Sequence, residues 1–276
     1  MAIVQTMTAK LLRRASRLRK KLLQRNIELA DIGRLLDEFE IRSEEMLVVY
    51  SSWEELRLKA PPNELINVLK ARLSADGCLA FPTAPFAGRL KEYLLTRPLF
   101  DVRRTPSCRG LVTEIARRRL DAFRTPQPGC PFSLIGPAAK RLAGMQKDYS
   151  SPYSEDSFLA ECHRRNALIL TLGLNFIQNS GVHYAEKQMN HQLGLFSGER
   201  LPYSIRLDEQ IIAAESEYLF EADRDWRFIH DGYRRQASFH ERELHGTSYS
   251  RIRENESFSV FCEAIRQGKI RKTSSD

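Results

Sequence analysis

The stretch Ala167-Leu-Ile-Leu-Thr-Leu-Gly173, with Asn175-Phe-Ile-Gln-Asn-Ser-Gly-Val-His-Tyr-Ala-Glu186 behind it, decides how this chain reads. Its first part is a short apolar run closed by a glycine, which predicts a buried strand. Asn179 or Ser180 is placed to cap a helix whose first turns carry His183 and Glu186. Residues three apart share a helix face, so the imidazole and the carboxylate come within reach of each other. Open α/β proteins present their chemistry where a strand ends and a helix begins. The positive end of a helix disfavours a further cation, which leaves an imidazole there free to accept a proton. A histidine so placed and steered by a carboxylate is a candidate general base. A capping histidine beside a surface glutamate is the plainer alternative.

Working upstream, Leu29 to Glu38 predicts a helix, and Met46-Leu-Val-Val-Tyr50 a strand that ends in the polar turn Ser51-Ser52-Trp53. Pro61-Pro62-Asn63 opens a helix that runs through Leu73; Ala75-Asp-Gly77 ends it, and Cys78 to Thr83 forms a second strand. This β-α-β unit calls for a parallel pair with a right-handed crossover. A long connection from Ala84 to Pro106 carries several arginines, and a helix follows from Leu111 to Arg119. A proline-rich loop (Phe123–Pro131), a short strand (Phe132–Ile135) and a helix from Pro137 to Leu142 precede the decisive stretch. Beyond residue 195 the segments become shorter and mixed, with a strand near Tyr203–Arg206 and a helix near Phe258–Arg266. The expected organisation is a basic N-terminal helix (1–26), an α/β core (27–195) and a smaller C-terminal lobe (196–276) that completes the acceptor site.

A chain of 276 residues with 42% hydrophobic residues suits a soluble protein with a substantial core. The net charge of +8 is a local property. Residues 1–26 hold eight lysines and arginines and no acid; the remainder balances at 35 basic and 35 acidic residues. That balance excludes a nucleic-acid-binding body, which would carry a basic face beyond the tail. Leu11, Ala15, Leu18 and Leu22 recur at helical spacing, so the tail reads as an amphipathic helix. Packing on the body or on a sister subunit in a homo-oligomer is its first expected use and weak contact with an anionic membrane surface the second; such a segment also resembles a transit peptide. The five cysteines contain no Cys-x-x-Cys pair and no zinc spacing. Without a signal segment or a membrane-spanning run, the expected location is the cytoplasm.

Val48-Val-Tyr-Ser-Ser-Trp53, Gly77-Cys-Leu-Ala-Phe-Pro-Thr83, Phe100 through Thr105-Pro-Ser107, Gly110 and Glu114 form an ordered set. Arg124, Pro128, Gly136-Pro137, Ser151-Pro152, Leu170–Leu174 and His183-Tyr-Ala-Glu186 continue it. In this order they resemble the antibiotic N-acetyltransferase family, founded on aminoglycoside 3-N-acetyltransferases, closely over residues 30–190 and loosely beyond. The resemblance implies an α/β fold with a mixed sheet flanked by helices, and acyl transfer from coenzyme A to an amine. His183 then serves as the base and Glu186 as its orienting partner. Backbone N–H groups at Ser51-Ser52-Trp53 and at Ser180 are the expected donors to the tetrahedral intermediate. Ser51, Ser52, Trp53, Thr83, Ser107, Arg109, Asn179 and Ser180 are the expected coenzyme contacts. Tyr50, Cys130, Asn175, Trp226 and Tyr249 are the expected acceptor contacts.

The chain departs from the family pattern at two segments. Tyr50-Ser-Ser-Trp53 stands where the family commonly writes His-Ser-Ser-Leu, and Gln127-Pro-Gly-Cys-Pro131 where it writes His-Pro-x-His-Ser. These losses favour a branch that places acetyl or 3-hydroxybutanoyl groups on nucleotide-linked (dTDP-) amino-dideoxy sugars. Trp226, Tyr233, Arg234, Arg235, Tyr249, Arg251 and Arg253 are the residues suited to such an acceptor. The alternatives are aminoglycoside 3-N-acetylation, for which the acid run Glu215, Glu217, Glu221, Asp223 and Asp225 is the suitable feature, and a catalytically silent coenzyme A-binding relative. A thiol nucleophile at Cys130, working with His183 and Glu186, is a further chemical option.

Overall fold

The structure is a computed structural model that describes residues 26–174 and 179–273. The predicted N-terminal basic helix falls outside the described residues, as does Asn175. Among the described residues no helix is long and apolar enough to cross a membrane.

The strands are β1 (Glu44–Ser51), β2 (Leu73–Pro82), β3 (Leu99–Asp101), β4 (Ala122–Arg124), β5 (Phe132–Ile135) and β6 (Leu168–Leu172). They continue with β7 (Phe196–Leu207), β8 (Gln210–Leu219), β9 (Ala222–Arg224), β10 (His240–Leu244), β11 (Thr247–Arg253) and β12 (Ile270–Lys272). A seven-stranded sheet runs in the order β10-β11-β6-β1-β2-β5-β4. Its centre, β6-β1-β2, is parallel, and the strands on either side pair antiparallel. The mixed α/β architecture expected from the sequence is therefore the one observed.

The apolar runs of β1 and β6 reflect burial of both sheet faces. Along β1, Met46, Val48 and Tyr50 enter one core, and Leu47 and Val49 enter the other. Helices Phe158–Arg164, Gly181–Gln188 and Glu254–Arg266 cover the first face; Leu29–Glu38, Pro62–Lys70 and Leu111–Arg118 cover the second.

Three local readings change. The helix opened by Pro62 stops at Lys70, and Leu73 to Gly77 already belongs to β2. Gly77 is needed there for close approach: a Cβ would lie 2.6 Å from the Glu44 carbonyl, where the β1–β2 register shifts. The long connection after Ala84 contains a helix (Leu90–Thr96) and β3, whose three residues are too few to show a period. β3 pairs in parallel with β7, and β7 with β8, as a separate three-stranded sheet over its own small core. The segment after residue 196 also returns β10 and β11 to the main sheet.

Candidate active site

A cavity of about 690 Å³ opens at the carboxyl ends of the three parallel strands. Tyr50 and Ser51 come from the end of β1, Pro82 and Ala84 from the end of β2, and Leu174 lies beyond β6. The start of the Gly181–Gln188 helix forms another wall, and Glu217 through Ala222 with Arg224 form the wall facing it. This is the crevice that a strand-to-helix switch makes in an open α/β sheet.

His183 and Glu186 meet as their spacing predicts. His183 Nδ1 lies 2.8 Å from Glu186 Oε2. With Nδ1 donating to the carboxylate, Nε2 carries the lone pair. The His183 side chain is 31% exposed, whereas that of Glu186 is fully buried. Arg224, at the end of β9, completes the set: its Nε is 2.6 Å from Glu186 Oε1 and its Nη2 is 3.0 Å from Oε2. Burial alone would raise the Glu186 pKa, but the hydrogen bond and charge of His183 and the Arg224 guanidinium hold it below the usual carboxylate range. Sequence reading missed Arg224, because it lies 38 positions away and between two acids, Asp223 and Asp225.

The helix start is built from Asn179 rather than Ser180. Asn179 Oδ1 accepts from the Gly181 N–H at 2.6 Å, and Nδ2 donates to Ser257 Oγ at 3.0 Å. Ser180 makes no side-chain cap; its backbone N–H donates to the Tyr50 hydroxyl at 2.8 Å. Behind this turn Glu254 is 2% exposed, and its Oε1 has no hydrogen-bond partner among the described residues. Burial pushes its pKa up to about 8.

Of the predicted coenzyme contacts, Ser51, Arg109, Asn179 and Ser180 line the cavity. Ser51 Oγ is buried without a partner. The other four do not line it. The Ser52 N–H is taken by the Leu172 carbonyl at 3.0 Å, and Trp53 packs against the core on the far face of the sheet. Thr83 is fully buried, donating to the Pro131 carbonyl at 3.2 Å and accepting from Arg124 Nε at 3.1 Å. Ser107 shares a hydrogen bond with Thr113 Oγ1 at 3.1 Å. Two of the expected oxyanion donors, the N–H groups of Ser52 and Ser180, are thus already engaged within the protein.

Of the predicted acceptor contacts, Tyr50, Cys130 and Trp226 line the cavity. Tyr249 does not. It is fully buried in the opposite core, because the two-residue period of β11 turns it to the far face. Tyr233 is buried, Arg253 pairs with Glu44 at 2.9 Å, and Arg251 lies 3.6 Å from Glu40. The acid run lies on β8, on β9 and on the residues flanking β9, and it places Glu217 and Glu221 on the cavity wall. Burial pushes the Cys130 thiol up to about 11, so it is protonated at neutral pH. Among the described residues no hydrogen bond joins it to His183.

Residues 48–264 match the family described as aminoglycoside 3-N-acetyltransferase. The chain belongs to the aminoglycoside 3-N-acetyltransferase family. Membership makes it a coenzyme A-dependent N-acyltransferase, as the sequence led one to expect. Among solved structures it is similar to AAC-IIIb in a binary complex with CoASH (TM-score 0.72, 15% identity, 91% of this chain and 100% of that one). It is also similar to aminoglycoside acetyltransferase AAC(3)-IVa as apoenzyme (0.70, 19%, 89% and 91%). A third similar structure is AAC-VIa bound to sisomicin (0.67, 18%, 88% and 99%). At such identities the likeness is one of fold. Comparison with curated proteins gives no match.

The departures of this aminoglycoside 3-N-acetyltransferase relative from the family pattern have structural roles. Tyr50 holds the start of the His183 helix through its hydroxyl. Gln127 is 1% exposed, donates to Ser216 Oγ at 2.8 Å, and accepts from the Gly129 N–H, tying the proline-rich loop to β8.

Proposed function

We propose that the enzyme transfers an acyl group from acyl-coenzyme A to the amine of an amino sugar by direct attack, with His183 as general base. The observation that carries this reading is the His183–Glu186–Arg224 chain, whose imidazole edge opens into the cavity. Glu186 fixes the ring with Nδ1 protonated, so Nε2 takes the proton of the attacking amine and returns it to the departing sulfur. The bound coenzyme supplies the activated thioester carbonyl.

The residues present fit that coenzyme. The cavity lies in the ~300–1,000 Å³ range of small-molecule sites. Ser51 Oγ offers an unpartnered hydroxyl on its wall. Arg109 brings a guanidinium with no carboxylate partner among the described residues, suited to a phosphate. Cys130, protonated, serves as wall rather than nucleophile.

Family and fold put aminoglycoside-type acceptors ahead of the nucleotide-linked sugar that the sequence departures favoured. One observation supports the nucleotide-linked reading as second: the acids on the cavity wall, Glu217 and Glu221, are ion-paired within the protein, with Lys187 and Arg89. The test is coenzyme A release from acetyl-coenzyme A with gentamicin, sisomicin and a dTDP-amino sugar as acceptors. Release with at least one acceptor, reduced about 10²–10⁴-fold in kcat by His183→Ala, is the expected result. No release with any of them, or full activity in His183→Ala, overturns the proposal.

A further inference from the structure

Lys187 and Glu217 form a close ion pair at the wall of the cavity. Lys187 Nζ lies 2.6 Å from Glu217 Oε1 and 2.7 Å from Oε2, so one ammonium occupies both oxygens. The Glu217 side chain is only 11% exposed, which leaves little screening by water. Glu217 lines the catalytic cavity and also a smaller adjoining one of about 500 Å³; Lys187 lines only the smaller. The lysine therefore reaches the carboxylate from the side away from His183. It stands one residue after Glu186, on the helix that carries the base, and its ammonium sits 4.6 Å over the Phe196 ring.

A ligand ammonium gains from a carboxylate only where that carboxylate is not already neutralised. At Glu217 an incoming cation must either displace Lys187, leaving a half-buried lysine unpaired, or share the carboxylate beside a like charge. Neither brings net attraction. Glu221, the other acid on the wall, is paired with Arg89 at 2.7 Å. We propose that Lys187 is a specificity-determining residue: by occupying Glu217 it keeps the acceptor site neutral and weakens binding of sugars that carry further ammonium groups. This rests on the amino-sugar reading above and deepens its second form, an acceptor with few ammonium groups. It is discrimination by a built-in repulsive element rather than by an added contact.

The test is calorimetric binding of gentamicin and of glucosamine, which has one amine, at low salt with coenzyme A present. The proteins are wild type, Lys187→Met, Lys187→Arg and Lys187→Met/Glu217→Gln. Methionine keeps an apolar stem against Phe196. Lys187→Met should tighten gentamicin about tenfold relative to glucosamine, an energy of about 1.4 kcal/mol. Lys187→Arg should behave as wild type, and the double variant should lose the gain. The inference is overturned if Lys187→Met binds gentamicin no better than wild type does, or if the gain survives Glu217→Gln. Because the readout is binding, it stands apart from turnover: absence of coenzyme A release would sink the functional reading while leaving this comparison decisive.

Discussion

Arg224 Nη2 and His183 Nδ1 converge on the same carboxylate oxygen, Glu186 Oε2, at 3.0 and 2.8 Å. A fully buried carboxylate is costly to ionise, and here two donor side chains compensate for its lost hydration. The ring is thereby held in one tautomer by a group that is itself held.

Arg224→Met removes the permanent cation and leaves Glu186 dependent on His183 alone. The depressed pKa of Glu186 should then climb. In the wild type its stabilising contribution is present above the unfolded carboxylate value and lost as pH falls through the lower folded one. In the variant that loss moves to higher pH, and the acid limb of kcat should move with it, with kcat at neutral pH about 10–100-fold lower. Paired kcat–pH and Tm–pH profiles read both.

Glu186→Gln keeps the volume and removes the charge. The amide can present either its oxygen or its nitrogen to Nδ1, so the ring loses its fixed tautomer. A fall in kcat of about 10²-fold is expected, with the Kd for coenzyme A, taken by calorimetry, within about twofold of wild type.

Glu254→Gln should stabilise the protein in alkaline solution. The folded-state pKa of Glu254 is raised from 4.5 to about 8. Between those values the unfolded chain has lost the proton that the folded one keeps, so stability falls as pH rises through this window. The glutamine variant lacks that slope: its Tm advantage over wild type should grow from pH 5 to pH 8 and then level off.

Gly181→Ala and Gly77→Ala test two of the tight approaches. A Cβ at 181 would lie 2.5 Å from Asn179 Oδ1 and 2.7 Å from Glu254 Oε1; one at 77 would meet the Glu44 carbonyl at 2.6 Å. Each should lose about 1–3 kcal/mol in urea unfolding. Gly181→Ala alone should also lower kcat, because it shifts the first turn beneath His183.

Arg109→Ala should weaken coenzyme A about tenfold and flatten the salt dependence of its Kd, with the acceptor KM little changed.

Much of the central sheet was legible in the sequence, because strands buried on both faces write themselves as unbroken apolar runs, as in Leu168–Leu172. The His183–Glu186 contact was legible for a similar reason: helical spacing is local. Arg224 was not, because its meeting with Glu186 depends on how β9 crosses the cavity mouth. Tyr249 looked like a ligand contact only until the strand period assigned it a face. Ser52 and Ser180 show the same limit for backbone groups, since which carbonyl or hydroxyl claims an N–H is settled by tertiary neighbours.

Arg224 is held in place by a strand from far along the chain. It ends β9, which pairs with β12, Ile270 opposite Arg224 itself. A nascent chain that has already folded its parallel sheet would still lack a properly seated base. Seating of the His183 imidazole therefore waits for β12 to dock on β9, and proteolytic clipping ahead of Ile270 should loosen it in an otherwise native-looking fold.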